Sequence, residues 1–298
     1  MRYNRGEVFP FYQPMFSYSS AIQMDVDLPE GAGGFLWRYE NLGRRDIRQY
    51  HHHPELELNY VLRGTAVYLL GDRRYVLTEG ALVWLFPGRS HLLTRRSPDL
   101  EMWIAVFRPD LVRGACRADG SAPLRAADPV GYFCRRLLPA HARRLVGLFE
   151  DVLTASGRPD RFNAGLAYAL LTAWEAYGEA DEAPPSADVH PAVQRAIQML
   201  RDGGEGTTVG QVARHAGLSA SRLSEVFRQE TGMTLVEFRN RQRLDRFLTL
   251  YGRGHRVSML EAALEAGFGS YLQFYRVFRQ IMGCGPSEFR RHGHEEQS

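Results

Sequence analysis

The feature that most constrains this chain is a stretch near its C-terminus that occurs twice. VFRQETGMTLVEFR (226–239) matches VFRQIMGCGPSEFR (277–290) at eight of 14 positions, 51 residues apart, and upstream ARHAGL (213–218) answers ALEAGF (263–268). Two copies are too few for a solenoid, so the repeat is a duplicated supersecondary unit. In the first copy Val209, Val212 and Ala213 mark a short helix. Gly217 can then take the positive φ of a sharp turn. Ser219 is placed to cap a second helix by accepting an orphan N–H. That helix has an apolar face of Leu223, Val226 and Phe227, and Gly232 stands where a C-terminal glycine should. The second copy repeats the logic with Ala262, Ala263 and Leu264, then Gly267-Phe268, then Phe274, Val277, Phe278 and Ile281, then Gly283.

A helix, a tight glycine turn and a second helix is the helix-turn-helix unit, whose second helix enters the DNA major groove. The alternative is a plain helical bundle with small-residue turns. Charge bears on the choice. All 37 basic residues are Arg; residues 206–292 hold 13 Arg against seven acids, whereas residues 179–189 hold four acids and no base. A basic domain behind an acidic segment points to a polyanion partner, and two helix-turn-helix copies in that basic part point to double-stranded DNA. Residues 234–252 read as one connecting helix, about 28 Å long at 1.5 Å per residue. That length sets two recognition helices about one turn of DNA apart. The expected DNA-binding residues are Ser219, Ser221, Arg222, Ser224, Glu225 and Arg228 in the first unit. In the second they are Ser270, Tyr271, Gln273, Tyr275, Arg276 and Arg279. Arg276 suits guanine and Gln273 adenine. Arg239, Arg243 and Arg246 read as phosphate contacts or surface charge. Glu225 would either accept from cytosine N4 or pair with Arg222.

The second copy resembles the signature of AraC/XylS-type transcriptional regulators, with Gly267, Phe268, Phe274, Phe278, Gly283, Pro286, Phe289 and Arg290 in place. Leu272 departs from it, since that family usually has a small hydroxyl residue there. The resemblance spans about 190–292. It implies a regulator, more often an activator than a repressor, that acts as a homodimer with RNA polymerase and answers to a small-molecule effector such as a sugar.

The N-terminal part carries a second pattern. Up to about residue 130, short segments rich in Val, Tyr, Trp, Phe and Leu alternate with turn signals such as Arg63-Gly64 and Glu79-Gly80, as in a sandwich or barrel. His51, His53, Glu57 and Gly64 fit H-x-H-x3-E-x6-G; Gly80, Phe86, Gly88 and His91 fit the companion motif with Phe in the Pro position. These spacings resemble the two cupin motifs and imply a cupin-like double-sheet jelly roll. His51 and His53 share strand parity. Imidazoles with a carboxylate suit Fe, Ni, Mn or Zn. The expected cavity is therefore either an effector pocket lined by His51, His53, Glu57, His91 and Trp84, or a divalent metal site of His51, His53, Glu57 and His91. The pocket requires no cofactor; the metal would imply a cupin enzyme fused to a DNA-binding domain.

Between these parts, 139–156 and 160–177 have helical period, with stripes Leu145, Leu148, Phe149, Val152 and Leu166, Leu170, Ala173, Trp174, Tyr177. A hairpin with two apolar faces needs a partner, and dimerisation through it is expected. The resulting α+β architecture runs as a cupin-like sensor (1–135), a helical hairpin (136–178), a solvated acidic linker (179–189) and an all-α double helix-turn-helix domain (190–298). No apolar run is long enough for a membrane span. There is no signal-peptide pattern, and the three scattered cysteines form no disulfide framework. A cytoplasmic, non-enzymatic, DNA-binding regulator is the expected function.

Overall fold

The computed structural model describes residues 16–18, 24–26, 31–41, 53–131, 133–180, 182–202, 207–252 and 258–289. Beyond a short antiparallel pair, β1 (Phe16–Tyr18) with β2 (Met24–Val26), the N-terminal part is built from two antiparallel sheets. One contains β3 (Gly34–Glu40), β4 (Leu56–Arg63), β7 (Ala81–Leu85), β9 (Glu101–Phe107) and β10 (Cys134–Arg136), in the order β10-β7-β4-β9-β3. The other contains β5 (Thr65–Leu70), β6 (Arg73–Thr78), β8 (His91–Arg96) and β11 (Ser186–Asp188), in the order β11-β6-β5-β8.

Strand alternation sorts the apolar side chains into layers. Val61, Ala66, Tyr68, Leu77, Val83 and Met102 fill the space between the sheets. Residues of opposite parity on the first sheet, Leu58, Leu82, Trp84, Trp103 and Phe107, face a helical hairpin. That hairpin is α2 (Pro139–Thr154) with α3 (Pro159–Gly178); α1 (Pro109–Ala115) and a 3-10 turn (Asp119–Arg125) close its end. Its two helices approach closely at Gly165, where an added Cβ would lie 2.9 Å from Val152 Cγ2.

This packing corrects one expectation. Leu145, Phe149, Val152, Leu166 and Leu170 are buried within the chain, joined to the sheet core. The inner stripes are covered by the sheet, so no unpartnered apolar patch of these residues demands a second copy.

The segment 179–189 also departs from a solvated linker. Ser186–Asp188 pairs antiparallel with β6 as an edge strand. Arg136 N–H donates to Glu182 O at 2.7 Å and Val76 N–H to Pro185 O at 2.9 Å. Its acids meet barrel arginines, Arg73 with Asp188 at 3.1 Å and Arg136 with Glu182 at 3.2 Å. The barrel thus recruits the connecting chain as a strand, which satisfies backbone groups along the edge of β6.

The helical domain begins with α4 (Pro191–Asp202), followed by α5 (Val209–Ala216), α6 (Ala220–Thr231), α7 (Leu235–Gly252), α8 (Met259–Glu265) and α9 (Tyr271–Met282). The connecting helix α7 is 18 residues long. The two outer faces of the barrel have different tenants: the hairpin covers the first sheet, while Leu69 of β5 and Leu92 of β8 join one core with Ala196, Val212, Leu223 and Phe227.

Candidate DNA interface and effector site

The two helix-turn-helix units form as their punctuation dictates. Thr208 and Gln211 make a capping box at the start of α5, and Ser258 and Glu261 make one at α8. Gly217 and Gly267 take φ of 75° and 91°, turning the chain into the second helix. The hydroxyls of Ser219 and Ser270 then accept from Arg222 N–H and Gln273 N–H, both at 3.2 Å. Both serines are therefore caps, and their hydroxyls are already engaged.

On α6, buried Leu223, Val226 and Phe227 leave Ser221, Arg222, Ser224, Glu225 and Arg228 exposed. Two of these are engaged locally: Ser224 Oγ donates to Ala220 O at 2.7 Å, and Arg222 Nη1 donates to Glu225 Oε2 at 2.7 Å. On α9, buried Phe274, Val277 and Phe278 leave Tyr271, Tyr275, Arg276 and Arg279 exposed, with Leu272 60% exposed beside them. Gln273 is half-buried, and its Oε1 accepts from Gly269 N–H at 3.0 Å, which makes it a second capping group at this helix start. Tyr271 leans back on Phe274, with ring centroids 5.7 Å apart. Arg239 and Arg243 are half-buried on α7; Arg239 Nη1 donates to Thr207 O at 2.9 Å. Burial and then Arg239 lower the pKa of Arg243.

Inside the barrel, His53, Glu57 and His91 converge: their ligand-type atoms lie within 4.8 Å of one another. His51 and Arg290 lie outside the described residues. His53 Nε2 is 2.8 Å from Glu57 Oε2, and its Nδ1 is 3.0 Å from the Glu55 carbonyl. Both partners can accept a hydrogen bond, an arrangement that favours the protonated ring. Burial alone would lower its pKa, but Glu57's hydrogen bond and charge, with those of Glu55, hold it above 6.5. His91 stacks edge-on against it, centroids 5.3 Å apart.

Two residues that sequence reasoning missed complete the cluster. Asn59 Nδ2 donates to Glu57 Oε1 at 2.8 Å and to Tyr68 Oη at 3.0 Å. Burial, then the charge of Glu57, raise the Tyr68 phenol above 10, so it stays protonated. Asn59 shares Glu57's parity two residues along β4, which was the available signal; its Oδ1 is buried with no hydrogen-bond partner among the described residues. Trp84 is not in this cluster. It pairs in register with Leu58, on the outer face, and meets Trp174 of α3 at 5.8 Å. The donor types would suit a cation, and in this structure His53 and Glu57 bond each other. A groove of about 770 Å³ opens nearby, lined by Pro54, Leu56, Val112, Leu124, Arg113 and Arg125.

The sheet carrying His91 and Tyr68 is thin. Their chain neighbours Leu92 and Leu69 point the other way, into the core of the first helix-turn-helix unit. The seam is reinforced by Arg95 Nη2 donating to Gln229 O at 3.1 Å and by Arg74 with Glu230 at 3.8 Å.

A buried polar cluster in a sensor barrel, backed by a duplicated helix-turn-helix domain, defines a ligand-responsive DNA-binding protein. A model of the AraC-like ligand binding domain matches residues 37–173, and one of the helix-turn-helix domain matches residues 212–292. The chain is 31% identical to the arabinose operon regulatory protein of Escherichia coli over 241 residues, covering 78% of this chain and 79% of that one. It is 29% identical to the protein of the same name from Salmonella typhimurium, covering 78% and 82%. The chain belongs to the AraC family of transcriptional regulators, and is a regulator rather than an enzyme. ToxT from Vibrio cholerae is a distant structural neighbour, with 13% identity, a TM-score of 0.34 and coverage of 86% and 96%. Among the described residues no helix is long and apolar enough to cross a membrane.

Proposed function

We propose that this protein is a cytoplasmic homodimeric activator that recruits RNA polymerase when a small hydroxylated metabolite, of sugar type, engages the barrel cluster. The observation that carries the effector reading is the Asn59 carbonyl oxygen, buried beside Glu57 and Tyr68 and without a hydrogen-bond partner among the described residues. An orphaned acceptor costs about 1–3 kcal/mol. A ligand hydroxyl that donates to it would recover that cost. The reading invokes no resident cofactor: the His53–Glu57 pair and the Asn59 amide supply the polar groups that a ligand would meet. A divalent metal on His53, Glu57 and His91 would require deprotonating His53 and breaking that pair.

Because His91 and Leu92, and Tyr68 and Leu69, are adjacent residues on opposite faces of one sheet, a ligand-driven shift in β5 or β8 reaches the first helix-turn-helix unit directly. The test has two arms. Footprinting of the full chain on promoter fragments gives the operator, with log affinity falling steeply against log salt as phosphates are neutralised. Calorimetry against a panel of pentoses, hexoses and sugar acids gives the effector, with binding lost in Asn59→Leu. Elemental analysis of untagged protein is the counter-test: near-stoichiometric Fe, Ni, Mn or Zn, lost in His53→Ala, would replace the sugar-type effector with a metal.

A further inference from the structure

The second recognition helix presents a large apolar side chain where the first presents a hydroxyl. With the repeat offset of 51 residues, Leu272 corresponds to Ser221, Tyr275 to Ser224 and Arg276 to Glu225. Leu272 is the second residue of α9 and is 60% exposed; Tyr275 is 36% exposed one turn on. The buried face of α9 is Phe274, Val277 and Phe278. At 3.6 residues per turn, Leu272 and Arg276 lie together on the opposite side, four residues apart. Among the described residues no core claims Leu272: it belongs to none of their apolar clusters, whereas Phe268, Phe274 and Phe278 close the second unit without it. Its position in the first turn is the one that meets base edges when such a helix enters a major groove.

We propose that Leu272 reads the methyl group of a thymine, which makes it a specificity-determining residue of the second half-site. This rests on the DNA-binding reading above and deepens it. The major-groove edges of guanine, adenine and cytosine offer polar groups, and the C5-methyl of thymine is the apolar one. A leucine pressed on a polar edge would strip its water and return no hydrogen bond. Four residues of helix rise about 6 Å, roughly two base-pair steps. The half-site therefore holds a thymine about two base pairs from the guanine contacted by Arg276. Tyr275 lies on the flank of the same face and covers the methyl from the side. The occupant is duplex DNA rather than a protein because Arg276 and Arg279 flank the apolar spot on the exposed surface, as a phosphate-lined groove requires.

The test uses the full chain on its footprinted operator, with each thymine of the second half-site replaced in turn by deoxyuridine, which removes only the methyl group. One replacement should weaken the wild-type complex about fourfold, the equivalent of one buried methyl at about 0.8 kcal/mol. Leu272→Ser and Leu272→Ala should bind more weakly and show no difference between thymine and deoxyuridine, while keeping their sensitivity to 7-deazaguanine at the Arg276 position. Because Leu272 is exposed, both variants should retain the wild-type circular dichroism and melting temperature. The proposal is overturned if every deoxyuridine site binds as tightly as thymine. It is equally overturned if the penalty persists in both variants, or if Leu272→Ser keeps DNA affinity and methyl sensitivity but loses transcription, which would make the contact one with protein. Absence of any sequence-specific footprint would instead remove the DNA-binding reading itself.

Discussion

The two helix-turn-helix units share caps, turns and core phenylalanines, yet they live in different surroundings. The first is fused to the sensor: its core includes Leu69 and Leu92 of the barrel. Gly232, which ends α6, sits so close to β8 that an added Cβ would lie 3.1 Å from Thr94 O. The second closes on itself, with Leu244, Phe247, Phe268, Phe274 and Phe278 making a core that draws on no barrel residue among those described. Their outward faces differ in the same sense. The first shows Ser221, Ser224 and a self-paired Arg222–Glu225; the second shows Tyr271, Leu272, Tyr275 and Arg276. Duplication has given one unit whose core is continuous with the barrel and one whose core is its own.

The largest expected effect separates the two cores. Phe227→Ala and Phe274→Ala each remove a fully buried ring and should cost about 3–5 kcal/mol. In amide hydrogen exchange, Phe274→Ala should deprotect α8 and α9 and leave the barrel unchanged. Phe227→Ala should deprotect α5 and α6 and also β5 and β8, since they share one cluster. Equal spread from both substitutions would dissolve the distinction.

Next comes the seam itself. Leu92 is fully buried between β8 and the helical domain. Leu92→Ala should cost about 2–5 kcal/mol. It should leave effector affinity near wild type while reducing the effector's influence on operator binding. A variant in which effector control survives intact would move the coupling route elsewhere.

The helix-turn-helix units were legible because their determinants are local. A serine cap, a φ-positive glycine and an i, i+3, i+4 stripe lie within twenty residues of one another, and each does in the structure what its chemistry allows. The seam was not legible. Leu69 and Leu92 alternate with interior residues in strands whose two faces are both covered, so periodicity shows that they are buried without showing against what. The hairpin failed in the same way: Leu166 and Leu170 needed a partner, and the sheet supplied it before a second copy could. Trp84 was misplaced by one strand position, since the register puts Leu85, not Trp84, beside Glu57. The 179–189 segment reads as linker by composition, and only the open edge of β6 turns part of it into a strand.

A pH titration gives a smaller contrast. His53 is held above its ordinary pKa by Glu57 and Glu55, with the His91 ring packed edge-on against it. Its protonated form therefore stabilises the fold, fully below about pH 6.5, and that contribution is lost as pH rises through the elevated folded-state value. The melting temperature of the barrel and first unit should fall across that window, and His53→Gln should flatten the profile. Exchange rates in α9, corrected for their intrinsic pH dependence, should not follow it.

The smallest effect tests the faces. Arg222 and Glu225 pair at 2.7 Å with side chains 59% and 65% exposed. Such an i, i+3 pair contributes at most about 0.5 kcal/mol, so Glu225→Gln should leave stability within that margin. On DNA the same change removes one negative charge from a surface turned toward phosphates and releases the Arg222 guanidinium to meet one. Affinity should therefore rise at every sequence alike, and the salt slope should steepen by about 0.9 for the added phosphate contact. Arg276→Ala on the other unit should do the reverse, costing about 1–3 kcal/mol at operators with its guanine and far less at others. The contrast between a sequence-blind gain and a sequence-specific loss is what a sensor-bound unit and a base-reading unit require. If Glu225→Gln instead weakened binding at one particular C·G pair, Glu225 would be accepting from cytosine N4. The first helix would then be a base reader equal to the second, and the division of labour between the units would not hold.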